Sequence, residues 1–163
     1  MIKIMNISIE RAKVDDVAVI LRLQILAYQS EAEIYNNYKI PPLTQTLAEI
    51  EEEFRTLTFL VARQDGKIIG SVRASCRDGR CVIEKLIVHP DHQRQGLGSQ
   101  LVTAIEATFP EAKHFELFTG HRSERNLRLY NRLGYREFKR KQIAPGLIVV
   151  YLEKPNAAPA SNR

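Results

Sequence analysis

From Val88 to Val102 the chain reads VHPDHQRQGLGSQLV, an apolar strand end, a basic turn with two glycines, and an apolar helix start. Glycine lets the backbone turn tightly and lets N–H groups approach a ligand with no Cβ in the way. A helix start adds unpaired N–H groups and the positive end of the helix dipole. The run Gln93-Arg94-Gln95-Gly96-Leu97-Gly98 is therefore suited to hold phosphate oxygens, with Arg94 supplying charge. Leu97, Leu101, Val102 and Ile105 give the following helix an apolar face, which packs on a sheet and keeps the anion site rigid. Two familiar phosphate loops are excluded. No Lys-Ser or Lys-Thr follows, as a P-loop requires. The third glycine of a dinucleotide fingerprint is replaced by Leu101, and the turn follows a meander rather than a first strand.

Other reactive residue types give weaker signals. Cys76 and Cys81 flank Arg77-Asp78-Gly79-Arg80, and a two-residue hairpin turn at Asp78-Gly79 sets the cysteines opposite each other. That register would suit a cross-strand disulfide, but free thiols are expected in reducing cytosol. No histidine lies nearby at ligand spacing, so no metal is expected. Residues 122–141 hold eight Lys or Arg against two Glu, more positive than the whole chain at +5. The excess suits a polyanion, but the run has no interleaved aromatic platform, which argues against nucleic acid. The longest apolar runs, such as LIVVYL at 147–152, are strand-length, and the MIKIMNISIE start lacks a signal-peptide core. A cytoplasmic protein without membrane contact is the expectation.

The elements that must position the turn follow from periodicity. Residues 2–11 read as a first strand, and Asp15 or Asp16 opens a helix with Val17, Ile20, Leu21, Gln24 and Tyr28 at helical spacing. The run KIPPL at 39–43 is expected to be non-helical. Thr46 with Glu49 is a capping box opening a second helix. Residues 58–88 form a three-stranded meander punctuated by QDGK and RDGR. A helix at about 96–109, a strand HFELFT, a helix from Ser123 to Gly134 and a final hairpin around Pro145-Gly146 complete the order. This describes one mixed α/β domain, with strand four, helix and strand five forming a right-handed parallel crossover. The domain is expected over 1–154, with 155–163 a disordered tail.

At this point the chain resembles the GNAT superfamily of acetyl-CoA-dependent N-acetyltransferases. Val88-His89-Pro90 ends strand four, Gln93 through Gly98 enters the helix, and Asn126-Leu127-Arg128-Leu129-Tyr130 precedes Leu133-Gly134-Tyr135. The resemblance implies one central, mostly antiparallel mixed sheet of about seven strands and about four helices, strands four and five being parallel and splayed. It implies acetyl-CoA as co-substrate, with its pyrophosphate on the backbone of Gln95, Gly96, Leu97, Gly98 and Ser99 and with Gln93 and Arg94 at the rim. Its pantetheine arm would bond the backbone of Leu86, Ile87 and Val88 like an extra strand. Asn126 would reach the pantetheine, and Arg125 or Arg128 the ribose phosphate.

The chemistry that follows is transfer of an acetyl group to a primary amine by direct attack, without an acetyl-enzyme. Glu84 is the candidate base, on the reading that strand alternation puts Glu84, Leu86 and Val88 on one face. A structural ion pair with Arg73 or with Lys85's neighbours is its alternative. Tyr130 is the candidate acid, four residues after Asn126 on one helix face, with a phenol able to protonate a departing thiolate. The Val88 N–H is the expected oxyanion donor. Tyr28, Glu31 and Tyr35, with Glu33 and Tyr38, form an acidic aromatic rim suited to a cationic acceptor, a small-molecule amine or a protein amino group. A non-catalytic acyl-CoA-binding module is the alternative function, and a homodimer stands among the partner readings.

Overall fold

The computed structural model describes residues 6–157. Strand β1 (Ile7–Arg11) leads through a short 3-10 turn into helices α1 (Val17–Ala27), α2 (Gln29–Tyr35), α3 (Pro41–Thr44) and α4 (Leu47–Thr56). The meander β2 (Thr58–Gln64), β3 (Lys67–Arg77) and β4 (Arg80–Val88) follows, then α5 (Leu97–Thr108), β5 (His114–Gly120), α6 (Glu124–Arg132), β6 (Arg136–Ala144) and β7 (Leu147–Pro155). All seven strands form one sheet in the order β1-β2-β3-β4-β5-β7-β6, with β4 and β5 parallel and the other neighbours antiparallel. The first strand's expected residues 2–5, and residues 158–163 of the expected tail, lie outside the described residues.

Period-2 alternation sorts the core into two layers. Leu60 and Ala62 of β2, Val72 and Ala74 of β3, and Phe115 and Leu117 of β5 face one side, where α5 contributes Leu97, Leu101, Val102 and Ile105 and α6 contributes Tyr130. Phe59 and Val61 face the other side, covered by Val17, Ile20 and Leu23 of α1 and Ile50 of α4. Burying each such aliphatic side chain contributes about 2 kcal/mol. Gly70 of β3 lets α5 come this close: a Cβ there would stand 2.9 Å from a Leu101 methyl carbon.

Several expectations are corrected. The KIPPL segment is not free of helix, because Pro41 and Pro42 open α3. A proline in the first helical turn gives up an N–H that had no partner there, and only the preceding Ile40 stays extended. The expected mixed seven-stranded sheet with flanking helices is present, and among the described residues the short helices α2 and α3 lie between the two helices read from periodicity. Cys76 and Cys81 are not free thiols: they form a disulfide. They pair directly in the hairpin register, with Cα atoms 4.0 Å apart. The capping box is present, Thr46 Oγ1 accepting from the Glu49 N–H at 3.2 Å and Glu49 Oε1 accepting from the Thr46 N–H at 3.2 Å.

Candidate active site at the splay of the sheet

Strands β4 and β5 pair over only three positions, Arg80 with His114, Cys81 with Phe115 and Val82 with Glu116. Beyond these rungs β5 continues to Gly120 alongside β7, and β4 continues to Val88 alongside β3. A gap therefore opens between Ile83–Val88 and Leu117–Gly120. The His89 N–H bonds to the Ile69 carbonyl on β3 at 2.8 Å. Backbone groups alternate in direction along a strand, so the Val88 N–H points the other way, into the gap.

The turn sits at the gap's open end. Arg94 (φ 64°) and Gly96 (φ 79°) are both left-handed, and α5 begins at Leu97 with no side chain capping its first N–H groups. Alternating left-handed residues at an uncapped helix start make a concavity of N–H groups. Gln93 bridges the gap's rim: its Nε2 donates to the Val88 carbonyl at 3.3 Å, and its Oε1 accepts from Arg125 of α6. Gly98 lets α6 approach, since a Cβ there would lie 3.3 Å from a Leu129 methyl carbon. Leu97 faces the core, so only its backbone is available to a ligand. Asn126 Nδ2 donates to Thr119 Oγ1 of β5 at 3.2 Å. Arg128 is exposed and lies 3.9 Å from Glu124.

Tyr130 is 6% exposed in the α5 and α6 layer. Burial raises its hydroxyl pKa above the ordinary 10, and the nearby Tyr28 and Glu31 push it the same way. Those two residues come from the opposite layer, where Tyr28 packs on the α1 and α4 core. Groups from the two faces of the sheet meet electrostatically across the splay.

The expected common face for Glu84, Leu86 and Val88 is corrected. Ser71 pairs with Ile87 and Arg73 with Glu84, so β4 carries a bulge at Lys85, whose φ is 53°. The extra residue reverses the alternation. Leu86 and Val88 pack with α5, whereas Ile87 packs with α1 and α4. Glu84 lies opposite Arg73 and 3.9 Å from Lys85 Nζ. Arg73 is itself buried, with Nη2 donating to Gln24 and Gln45 at 3.0 Å, Nε 3.1 Å from Glu53 and the guanidinium over Phe59. Burial lowers the Lys85 ammonium pKa and Glu84 partly restores it. Tyr28 lies within the field of this cluster: burial raises its pKa, Arg73 opposes this, and Glu31 and Glu84 add to it.

The rim residues divide. Glu33 and Tyr38 are exposed. The Tyr35 hydroxyl accepts from the Arg122 N–H at 3.0 Å and lies 2.8 Å from Ser123 Oγ, which donates to Glu31 Oε2 at 2.5 Å. A Cβ on Gly120 would fall 2.0 Å from the Tyr35 oxygen, so only glycine leaves room for this contact. Ser123 stands at the N-cap position of α6 as expected, yet its side chain serves Glu31 rather than the helix. Sequence reading missed this chain because its partners lie 88 and 92 residues apart. Among the described residues one grouping suits a metal, His114, Glu116 and Glu153, with ligand atoms within 4.8 Å of one another. It lies at the paired end of β5, and Arg80 already binds both Glu116 oxygens at 2.7 and 2.5 Å. No helix among the described residues is long and apolar enough to cross a membrane.

A splayed parallel pair with an anion-holding turn at its open end defines the class, a GNAT-type acyltransferase fold. Residues 26–135 match the family described as Acetyltransferase (GNAT) family, and the chain belongs to that family. It is 29% identical over 130 residues to UPF0157 protein YqkA of Bacillus subtilis, covering 80% of this chain and 37% of that one. A second Bacillus subtilis relative, uncharacterized protein YrkN, is 29% identical over 92 residues, 53% of this chain and 50% of that one. The chain thus spans half or less of the curated relatives it matches. Among solved structures, the ribosomal-protein-S18-alanine N-acetyltransferase of Escherichia coli superposes with a TM-score of 0.76 at 16% identity, over 97% of this chain and 99% of that one. YncA of Salmonella typhimurium, a putative acetyltransferase solved with acetyl-CoA, gives 0.71 at 18% identity, over 96% and 98%.

Proposed function

We propose that the chain is an acetyl-CoA-dependent N-acetyltransferase acting on a primary amine by direct attack in a ternary complex. The observation that carries this reading is the gap itself. It is open where β4 and β5 part, lined by the Val88 N–H, and ends at an uncapped helix start with two left-handed residues before it. Those features fit a thioester donor bound in extended form with its diphosphate at the turn. Acetyl-CoA supplies the activated acetyl group.

The chain's own residues then divide the work. Backbone N–H groups of Gln95 to Ser99 hold the diphosphate, with Arg94 at the rim, Arg125 already at Gln93, and Arg128 one turn further along α6. The Val88 N–H donates to the acetyl carbonyl oxygen, where charge develops. Tyr130 gives its proton to the departing sulfur, and its raised pKa keeps it protonated throughout the neutral range. Glu31, with the exposed Glu33 on the same helix, makes the acceptor side acidic, which supports a cationic amine, whether a small molecule or a protein amino group.

Titration calorimetry with acetyl-CoA and CoA, beside a thermal melt, tests the donor. At about 100 times its dissociation constant a specific donor adds about 2.7 kcal/mol of stability. Tyr130→Phe should bind acetyl-CoA as the parent does and lose about 10²–10⁴-fold in kcat over a panel of primary amines. An absence of binding overturns the proposal.

A further inference from the structure

We infer that Glu31 is the general base that deprotonates the acceptor amine, a role deepening the acetyltransferase reading and resting on it. Its carboxylate ends a directed chain in which the Arg122 N–H donates to the Tyr35 oxygen, the Tyr35 hydroxyl to Ser123 Oγ, and Ser123 to Glu31 Oε2. The chain fixes one carboxylate oxygen and leaves Oε1 with no hydrogen bond from another described residue, as a base needs. Its place is also right. Ser123 holds the Glu31 carboxylate three residues past Gly120, the end of the β5 edge that lines the gap, and within electrostatic reach of Tyr130 on α6.

Glu84 is placed for a different task. The bulge turns it onto the α1 and α4 side, between Lys85 and the Arg73 cluster, where cations offset its charge. Glu31 is the less compensated carboxylate. Burial raises its pKa, while the Ser123 hydroxyl and the Arg125 guanidinium draw it back. Tyr28, which ends α1, and Tyr130 of α6 also lie within its electrostatic reach, and His121 lies one ring away, 6.0 Å from Tyr35. In the step, an N–H bond of the ammonium breaks, its electron pair stays on nitrogen, and the proton passes to Oε1 and later to solvent. The neutral nitrogen is then free to attack.

The test is the pH profile of kcat/KM for spermidine and for Nα-acetyl-lysine at saturating acetyl-CoA. It is set beside a carboxyl ¹³C NMR titration of the acetyl-CoA-saturated protein without amine. A base must be ionised, so activity should fall as pH drops through the Glu31 pKa, and both measurements should give one midpoint. Glu31→Gln should lose the acidic limb and about 10²–10⁴-fold in kcat/KM, whereas Glu84→Gln should keep the limb. Ser123→Ala should move the limb to higher pH, because the lost hydrogen bond held the carboxyl pKa down. A limb that persists in Glu31→Gln, or stays put in Ser123→Ala, overturns the assignment while leaving the acetyltransferase reading intact. A parent protein that neither binds acetyl-CoA nor turns over either amine overturns both.

Discussion

The carboxylate of Glu31, half-buried between α2 and the start of α6, loses part of its hydration on folding. The Glu31 pKa in the folded protein lies above its unfolded value of about 4.3. The folded state therefore binds that proton more tightly. The resulting advantage is complete below about pH 4 and is lost as pH rises through the folded pKa. Glu31→Gln keeps an acceptor for Ser123 and removes the charge. The variant should be more stable than the parent at pH 8, and the difference should vanish near pH 4, as read by urea melts at both pH values. Glu116 behaves oppositely. Arg80 holds its pKa below the usual range, so its contribution is present above the unfolded pKa and is lost as pH falls through the folded one. That loss affects parent and variant alike, so the difference between them isolates Glu31.

At the scale of elements, the turn before α5 and the capping box before α4 are both helix starts, with different consequences. Thr46→Ala removes a cap that contributes nothing to the turn before α5 and should cost about 1 kcal/mol of stability with an unchanged acetyl-CoA dissociation constant. Gly96→Ala meets nothing within 4 Å, so its penalty is purely the left-handed backbone, about 1–2 kcal/mol. Part of that penalty should appear in binding, because a loop that relaxes away from φ 79° no longer aims its N–H groups; calorimetry on the two variants separates the cases. Both starts were legible in the sequence because each is written in four to six adjacent residues. The Lys85 bulge was not. VIEKLIV is apolar on both sides of a Glu-Lys pair, so polarity alone does not say which face each residue takes, and a lysine carries no signal for positive φ; the bulge is set by pairing with Ser71 and Arg73 on another strand. The Glu31, Ser123 and Tyr35 chain was hidden for the same reason: Glu31 and Tyr35 read as a rim and Ser123 as a helix start, and only the fold brings α2 to the start of α6. Proline misled at Pro41 because the rule for the preceding residue was extended to the prolines themselves.

At the scale of the whole molecule, the two halves of the sheet are clamped at one end and open at the other. The clamp comprises three parallel rungs, the Arg80–Glu116 pair, and the Gly79 carbonyl, which accepts from Lys113 N at 2.7 Å and His114 N at 3.2 Å. The Cys76–Cys81 bond lies at this end. Val88 lies seven residue steps beyond Cys81, about 23 Å along an extended strand. Replacing both cysteines with serine should cost about 2 kcal/mol, the chain-entropy value for so short a loop. The acetyl-CoA dissociation constant should stay within about twofold, because the mouth of the gap is built separately by the turn, Gln93 and Arg125. Hydrogen exchange should show acetyl-CoA protecting the amides of Val88 and of Gln95 to Ser99 equally in parent and double variant. A loss of binding of about tenfold, equal to 1.4 kcal/mol, would instead show that the disulfide-bonded hairpin sets the width of the gap. The clamp would then act as a hinge, and the donor site could not be separated from the stability of the sheet's closed end.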